Sequence, residues 1–188
     1  MKSKNVILFF NLISLVFINS VYASGSHKNH MHKDHKKMEM EEAKKTGRKS
    51  LNDASKKTVI TMLEKNEKLH AAFFTYDAKA VEKNATELKN AMDAIKDEEV
   101  SKLLKFSKTK LSEIKASNDR EVNNQNYHIV SSALIYIVNM FDVGPKYNAY
   151  SCPMVKKKWV QNSKKMAKVH NPYAPEMPHC GTQDSHYK

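Results

Sequence analysis

Between Leu51 and Asp142 the chain contains neither glycine nor proline, and its apolar residues return at intervals of three and four. That spacing is the period of a helix with one buried face, and the lack of breakers argues against strands and tight turns. One stripe runs Val59, Met62, Asn66, Leu69, Phe73 and Tyr76, with Asn66 its only polar member. A second runs Val81, Ala85, Leu88, Met92 and Ile95, and a third Val100, Leu103, Leu104, Leu111 and Ile114. The fourth is Val122, Ile129, Ala133, Ile137, Met140 and Phe141, within a segment that is apolar nearly all round. Asp77, Asp97 and Asn118 or Asp119 stand where N-caps are needed, and Asn118-x-x-Glu121 has the form of a capping box. Four helices with short connections predict an all-α fold, an up-down four-helix bundle over residues 51–143.

The pattern breaks at Gly144-Pro145. All five prolines fall at or after residue 145, so residues 144–188 are expected to wrap the bundle as mostly irregular chain, with a short helix around Ser163 to Lys168. Trp159, the only tryptophan, is expected to anchor this wrap in an apolar groove.

The first 23 residues read differently. Lys2 and Lys4 precede an apolar run from Val6 to Ile18, and Val21-Tyr22-Ala23 supplies small residues for cleavage. This is the pattern of a secretory signal peptide cut after Ala23, and the run is shorter than the roughly 20 residues of a membrane span. The expectation is a periplasmic or secreted protein. Removing the two lysines lowers the formal charge from +12 to +10, still strongly basic. The excess is carried by lysine, with arginine only at 48 and 120, whereas nucleic-acid recognition favours arginine forks and aromatic platforms. No nucleic-acid partner is expected, and contact with anionic membranes is electrostatic at most.

Residues 24–50 lack apolar periodicity and read as a disordered leader. His27, His30, His32 and His35 lie in it, with Met31, Met38 and Met40 nearby. Clustered imidazoles of this kind suit Cu(II), Zn(II) or Ni(II), and the thioethers add affinity for Cu(I).

The second concentration of donors is in the wrap. Proline after Cys152 biases that residue to extended backbone, so Cys152 and Met154 face one way. Met177 precedes Pro178 and shares a side with His179, and Cys180 follows, with Gly181 freeing the backbone to turn. Soft sulfur donors select Cu(I), and zinc gains little from methionine. The rival reading is a Cys152–Cys180 disulfide, which export would permit and which the chain-entropy treatment values at about 3–4 kcal/mol. Spacing alone leaves both readings open. No nucleophile elbow, phosphate-cradling glycine loop or HExxH is present in the sequence, so an enzyme is not expected.

The stretch from Tyr150 to Gly181, with its CPM, Trp159, NPY, Met177 and CG, resembles the signature of an exported bacterial helical family, domain of unknown function 3347. The likeness covers about residues 51–181, with the motif confined to the end. Relatives of that kind occur alone or on periplasmic adaptor subunits of heavy-metal efflux systems. The resemblance therefore implies a copper or heavy-metal setting, with Cys152, Met154, Met177 and Cys180 as ligands and His179 as a local addition. Pro175 stands where the family pattern has a glycine. The expected function is a periplasmic copper- or heavy-metal-binding protein that sequesters or delivers the ion, with a periplasmic efflux component as partner. The alternative is a disulfide-stapled exported helical module that binds a protein without metal.

Overall fold

A computed structural model of the chain describes residues 47–166 and 168–187. The signal-peptide pattern over 1–23 and the leader histidines His27, His30, His32 and His35 lie outside these residues.

Four helices form as the periodicity predicts: α1 (Asp53–Thr75), α2 (Ala78–Asp93), α3 (Glu98–Ser112) and α4 (Arg120–Met140). Their starts are chemically marked. Asn52 accepts from the Ser55 N–H, Asp77 from Ala80 and Asp97 from Val100, each relieving an orphan donor of a first turn. At α4 the expected capping box is absent. Asp119 takes the N-cap position without a side-chain bond, and Asn118 instead donates to the Glu113 carbonyl and to Asn123. Tyr76 ends α1 in the left-handed region, at φ 44°.

Consecutive helices pack on one another, while α1 also meets α4 through side chains. Phe73 stacks on Tyr127 at 4.5 Å between centroids, and the Tyr127 hydroxyl donates to Asn66 at 3.1 Å. That bond explains the single polar residue of the first stripe.

The stripe expected on α4 is displaced. Its buried apolar face is Tyr127, Val130, Leu134, Ile137 and Val138, continued by Phe141, while Val122 is 49% and Tyr136 50% exposed. The physical reason is that Asn123 goes inward, donating to the Lys115 carbonyl at 2.8 Å and accepting from the Lys115 N–H at 3.1 Å. A buried amide with its bonds made is tolerated, and it turns the helix away from the face that hydropathy alone selects. Ile137 lies in the true stripe and is fully buried. Ile137→Val is expected to lower stability by about 0.5–1.5 kcal/mol, read from the urea unfolding midpoint; a shift of the midpoint to higher urea would show the site to be strained rather than well packed.

The all-α expectation needs correction. The C-terminal region is not an irregular wrap but carries a three-stranded antiparallel sheet, β1 (Tyr147–Cys152), β2 (Lys157–Asn162) and β3 (Thr182–Gln183), in the order β2-β1-β3. Cys152 pairs with Lys157 and Tyr147 with Asn162, so β1 and β2 form a hairpin closed by residues 153–156, with Lys156 at φ 51°. Strand formation follows from β-favouring Tyr147, Tyr150, Trp159 and Val160, all buried against the helices or the chain that follows. Around Ser163 to Lys168 the described residues form turns rather than a helix, with the Met166 N–H bonded to the Asn162 carbonyl.

The sheet packs on α4 and is fixed to α1 through Glu67, which accepts from the Tyr147 hydroxyl at 2.6 Å and from Asn162 at 2.8 Å. Arg48 ties the ends together: buried, it pairs with Asp142 at 3.0 Å and covers the Tyr187 ring at 3.8 Å. No helix among the described residues is long and apolar enough to cross a membrane.

Candidate functional site

Cys152 closes β1 and is buried; Cys180 lies just before β3 and is half-buried. The register that pairs Ser151 with Thr182 carries Cys180 alongside Cys152, and the two sulfurs sit 2.8 Å apart as free thiols. That is longer than the roughly 2.05 Å of a disulfide, yet one ion or one bond can join them. The approach depends on Gly181. At φ 143° a Cβ there would lie 2.7 Å from the Ser151 carbonyl oxygen and 2.8 Å from the Trp159 ring, so only glycine lets the chain pass at this distance.

The loop before Cys180 consists of two successive proline-directed turns. The Met177 N–H donates to the Ala174 carbonyl with Pro175 at the second position, and the Cys180 N–H to the Met177 carbonyl with Pro178 there. Proline pre-sets the backbone for this place in a turn, which accounts for the spacing of prolines around Met177. Asn171 and Tyr173 of the NPY triplet hold the loop. The Asn171 N–H bonds to the Pro178 carbonyl at 2.8 Å and its amide to the Cys180 carbonyl at 3.0 Å. Tyr173 reaches Ser131 on α4 at 3.0 Å.

The environment distinguishes the two thiols. Burial opposes a thiolate at Cys152, but the Cys180 thiol, the Val155 and Met154 N–H groups and the Asn171 amide together hold its pKa below the ordinary value. Cys180 moves upward, chiefly because of its bond to Cys152. Cys152 therefore ionises first, and Cys180 retains a proton shared toward it. A thiolate in that setting is a soft ligand and a nucleophile toward an oxidised sulfur.

Met154 lies in the turn after Cys152 and is 69% exposed; Met177 opens the last turn and is 39% exposed. Met62 and Met92, in contrast, are fully buried in the bundle. His179 donates through Nδ1 to the Val169 carbonyl at 2.7 Å, and its ring lies 5.7 Å from that of His170. Among the described residues no three of histidine, cysteine, aspartate and glutamate gather as a metal-holding group. The structure thus brings Cys152 and Cys180 together, sets Met154 and Met177 on the turns that flank them, and gives His179 a histidine neighbour.

Two further histidines carry no ligand signal in the sequence. His70, on α1, is buried, and His170 stacks on Phe74 at 4.5 Å. Both line a cleft of about 850 Å³ between α1 and the end of β2, which contains neither cysteine. A lone helical histidine has no spacing signature, and His170 acquires its neighbours only through the fold. Compared with known proteins, the chain matches no family model, no curated protein and no solved structure, so its likeness to the domain of unknown function 3347 family rests on the motif residues alone.

Proposed function

We propose that this is an exported binder of soft metal ions, Cu(I) foremost, held by the sulfurs of Cys152, Cys180, Met154 and Met177. The ion is cargo, taken up for sequestration or for delivery to a metal-efflux component. Export rests on the signal-peptide pattern of the first 23 residues, and the efflux partner on the family resemblance.

The observation that carries the reading is the placement of the methionines. Two adjacent thiols serve a disulfide as well as a metal, so they do not choose between the two. Met154 and Met177 favour the metal. Among the described residues they are two of the large apolar side chains left in water, on the turns next to the thiols, where packing gains them little. A thioether in that position is of use as a soft donor. The lowered pKa of Cys152 favours the thiolate that both readings need, as ligand or as nucleophile.

The test is an anaerobic Cu(I) competition titration of the reduced chain against the Met154→Leu, Met177→Leu double variant. Leucine keeps volume and apolarity, so the stability change should stay below about 1.5 kcal/mol. Cu(I) affinity is expected to fall about tenfold or more, equivalent to about 1.4 kcal/mol. Equal affinity in the two proteins would leave the disulfide-stapled module as the better reading.

A further inference from the structure

His170 and His179 are nine residues apart in sequence but neighbours across a loop. The backbone bond from Asn171 to Pro178 closes that loop, and each histidine stands one position outside it. Their ring centroids are 5.7 Å apart with planes inclined at 58°. Two imidazoles on one ion, each with a metal–nitrogen bond of about 2.0 Å, place their centroids about 5 Å apart in tetrahedral geometry and about 6.4 Å apart when opposed. The observed separation falls between these limits.

The His179 ring has the surroundings of a ligand, and the His170 ring has both nitrogens open to an ion. The His179 Nδ1 is engaged by the Val169 carbonyl at 2.7 Å, which selects the tautomer that carries its proton there and leaves Nε2 with a free lone pair. Ligating histidines usually have their second nitrogen fixed in this way. The His170 ring is backed by Phe74, and no hydrogen bond to either of its nitrogens exists among the described residues. Its backbone N–H is held by Gln161 at 3.0 Å, which fixes the position from which the ring projects.

From this geometry we infer a second metal site, in which His170 and His179 bind one divalent transition-metal ion through imidazole nitrogens, with water completing the coordination. It shares no ligand with the four sulfurs and does not depend on them. Imidazole pairs favour Cu(II) above Ni(II) and Zn(II), whereas the sulfur set favours Cu(I). The C-terminal sheet region then offers one site for each oxidation state of copper.

The experiment is a histidine side-chain NMR titration with Cu(II) on the full mature chain. His27, His30, His32 and His35 are changed to Gln so that the leader does not compete, and Cys152 and Cys180 to Ser so that Cu(II) is not reduced. Sub-stoichiometric Cu(II) is expected to broaden the His170 and His179 imidazole signals together and leave His128 sharp. His128 accepts from the Lys158 N–H and serves as the internal control. Adding His170→Gln should leave the His179 signal sharp as well. Equal broadening of all histidines, no broadening at either, or undiminished broadening of His179 without His170 would each overturn the assignment. If the serine substitutions disturb the fold, Zn(II) is titrated into the chain with its cysteines intact. Joint shifts of His170 and His179 that vanish in His170→Gln support the site there, and their absence overturns it.

Discussion

Trp159→Ala is expected to lower the unfolding free energy by about 3–5 kcal/mol, the range for removing a fully buried large aromatic side chain. Trp159 sits on β2, stacked with Tyr150 at 6.0 Å and edge-on to Tyr173 at 6.3 Å, and has no exposed surface. Its indole N–H donates to the Gln161 side chain at 3.2 Å, and Gln161 in turn binds the Lys168 carbonyl and the His170 N–H. The alanine variant therefore opens a cavity and also frees a buried amide that organises the next turn. Both losses act on the same few residues. The functional consequence is as specific as the energetic one, because the Trp159 ring is also the wall against which Gly181 packs. With that wall gone, the segment carrying Cys180 is held to β1 only by the short β3 pairing and the Asn171 bonds. The thiols of Trp159→Ala should then react with an alkylating agent independently and faster than those of the parent, in which each shields the other. A loss below about 1 kcal/mol with unchanged thiol reactivity would mean that the sheet is held to α4 by other contacts.

The helices were legible in the sequence because nothing obscured their period: residues 53–140 contain no breaker, and each stripe except the last matches a buried face. On α4 the pattern misled because hydropathy cannot tell a buried asparagine from an exposed one. Asn123 and Asn124 are buried, Asn123 by bonding the backbone of the preceding loop, whereas the apolar Val122 faces water. The sheet was hidden for a related reason. A strand exposed on one side alternates, but β1 and β2 are covered on both faces and bury Asn148, Lys157, Gln161 and Asn162 beside their aromatics. Each of these polar groups has a partner that only the fold supplies. Lys157, for example, reaches Glu121 at 3.3 Å, so a run of lysines that reads as solvated surface turns one member inward.

The chemistry divides along the same line. Cys152, Met154, Met177 and Cys180 could be singled out from donor type and neighbouring prolines, which are local properties. The meeting of Cys152 with Cys180 could not, since it depends on β3 pairing with β1 across some thirty residues of chain. The His170–His179 pair is less legible still. Its spacing matches no helix or strand period, and its contact is made by two turns and one backbone bond.

Acid should weaken the protein earlier than its carboxylates require, through His70. The ring is buried, and the His170 backbone carbonyl interacts with it, yet neither of its nitrogens makes a hydrogen bond of good geometry. Burial, with a smaller contribution from the neighbouring His170, depresses its pKa from 6.5 to about 4. The unfolded chain takes up a proton at this residue as the pH falls below 6.5, whereas the folded protein does not until about 4. Stability is therefore whole above pH 6.5 and is lost as the pH falls toward 4. At about 1.4 kcal/mol per pH unit, the shift allows a loss of about 3 kcal/mol across that interval. Other groups on this face titrate too. His170 is also depressed by burial and adds in the same direction, while Glu67, held low by Tyr147, Asn162 and Lys165 against its burial, acts at lower pH. Comparison with His70→Leu separates them, because the variant keeps both. Between pH 7 and pH 4.5 the parent should lose about 2–3 kcal/mol more than His70→Leu in urea unfolding. Equal losses in the two proteins would show that His70 takes its proton without leaving the core, and that the cleft beside it already admits water to the ring.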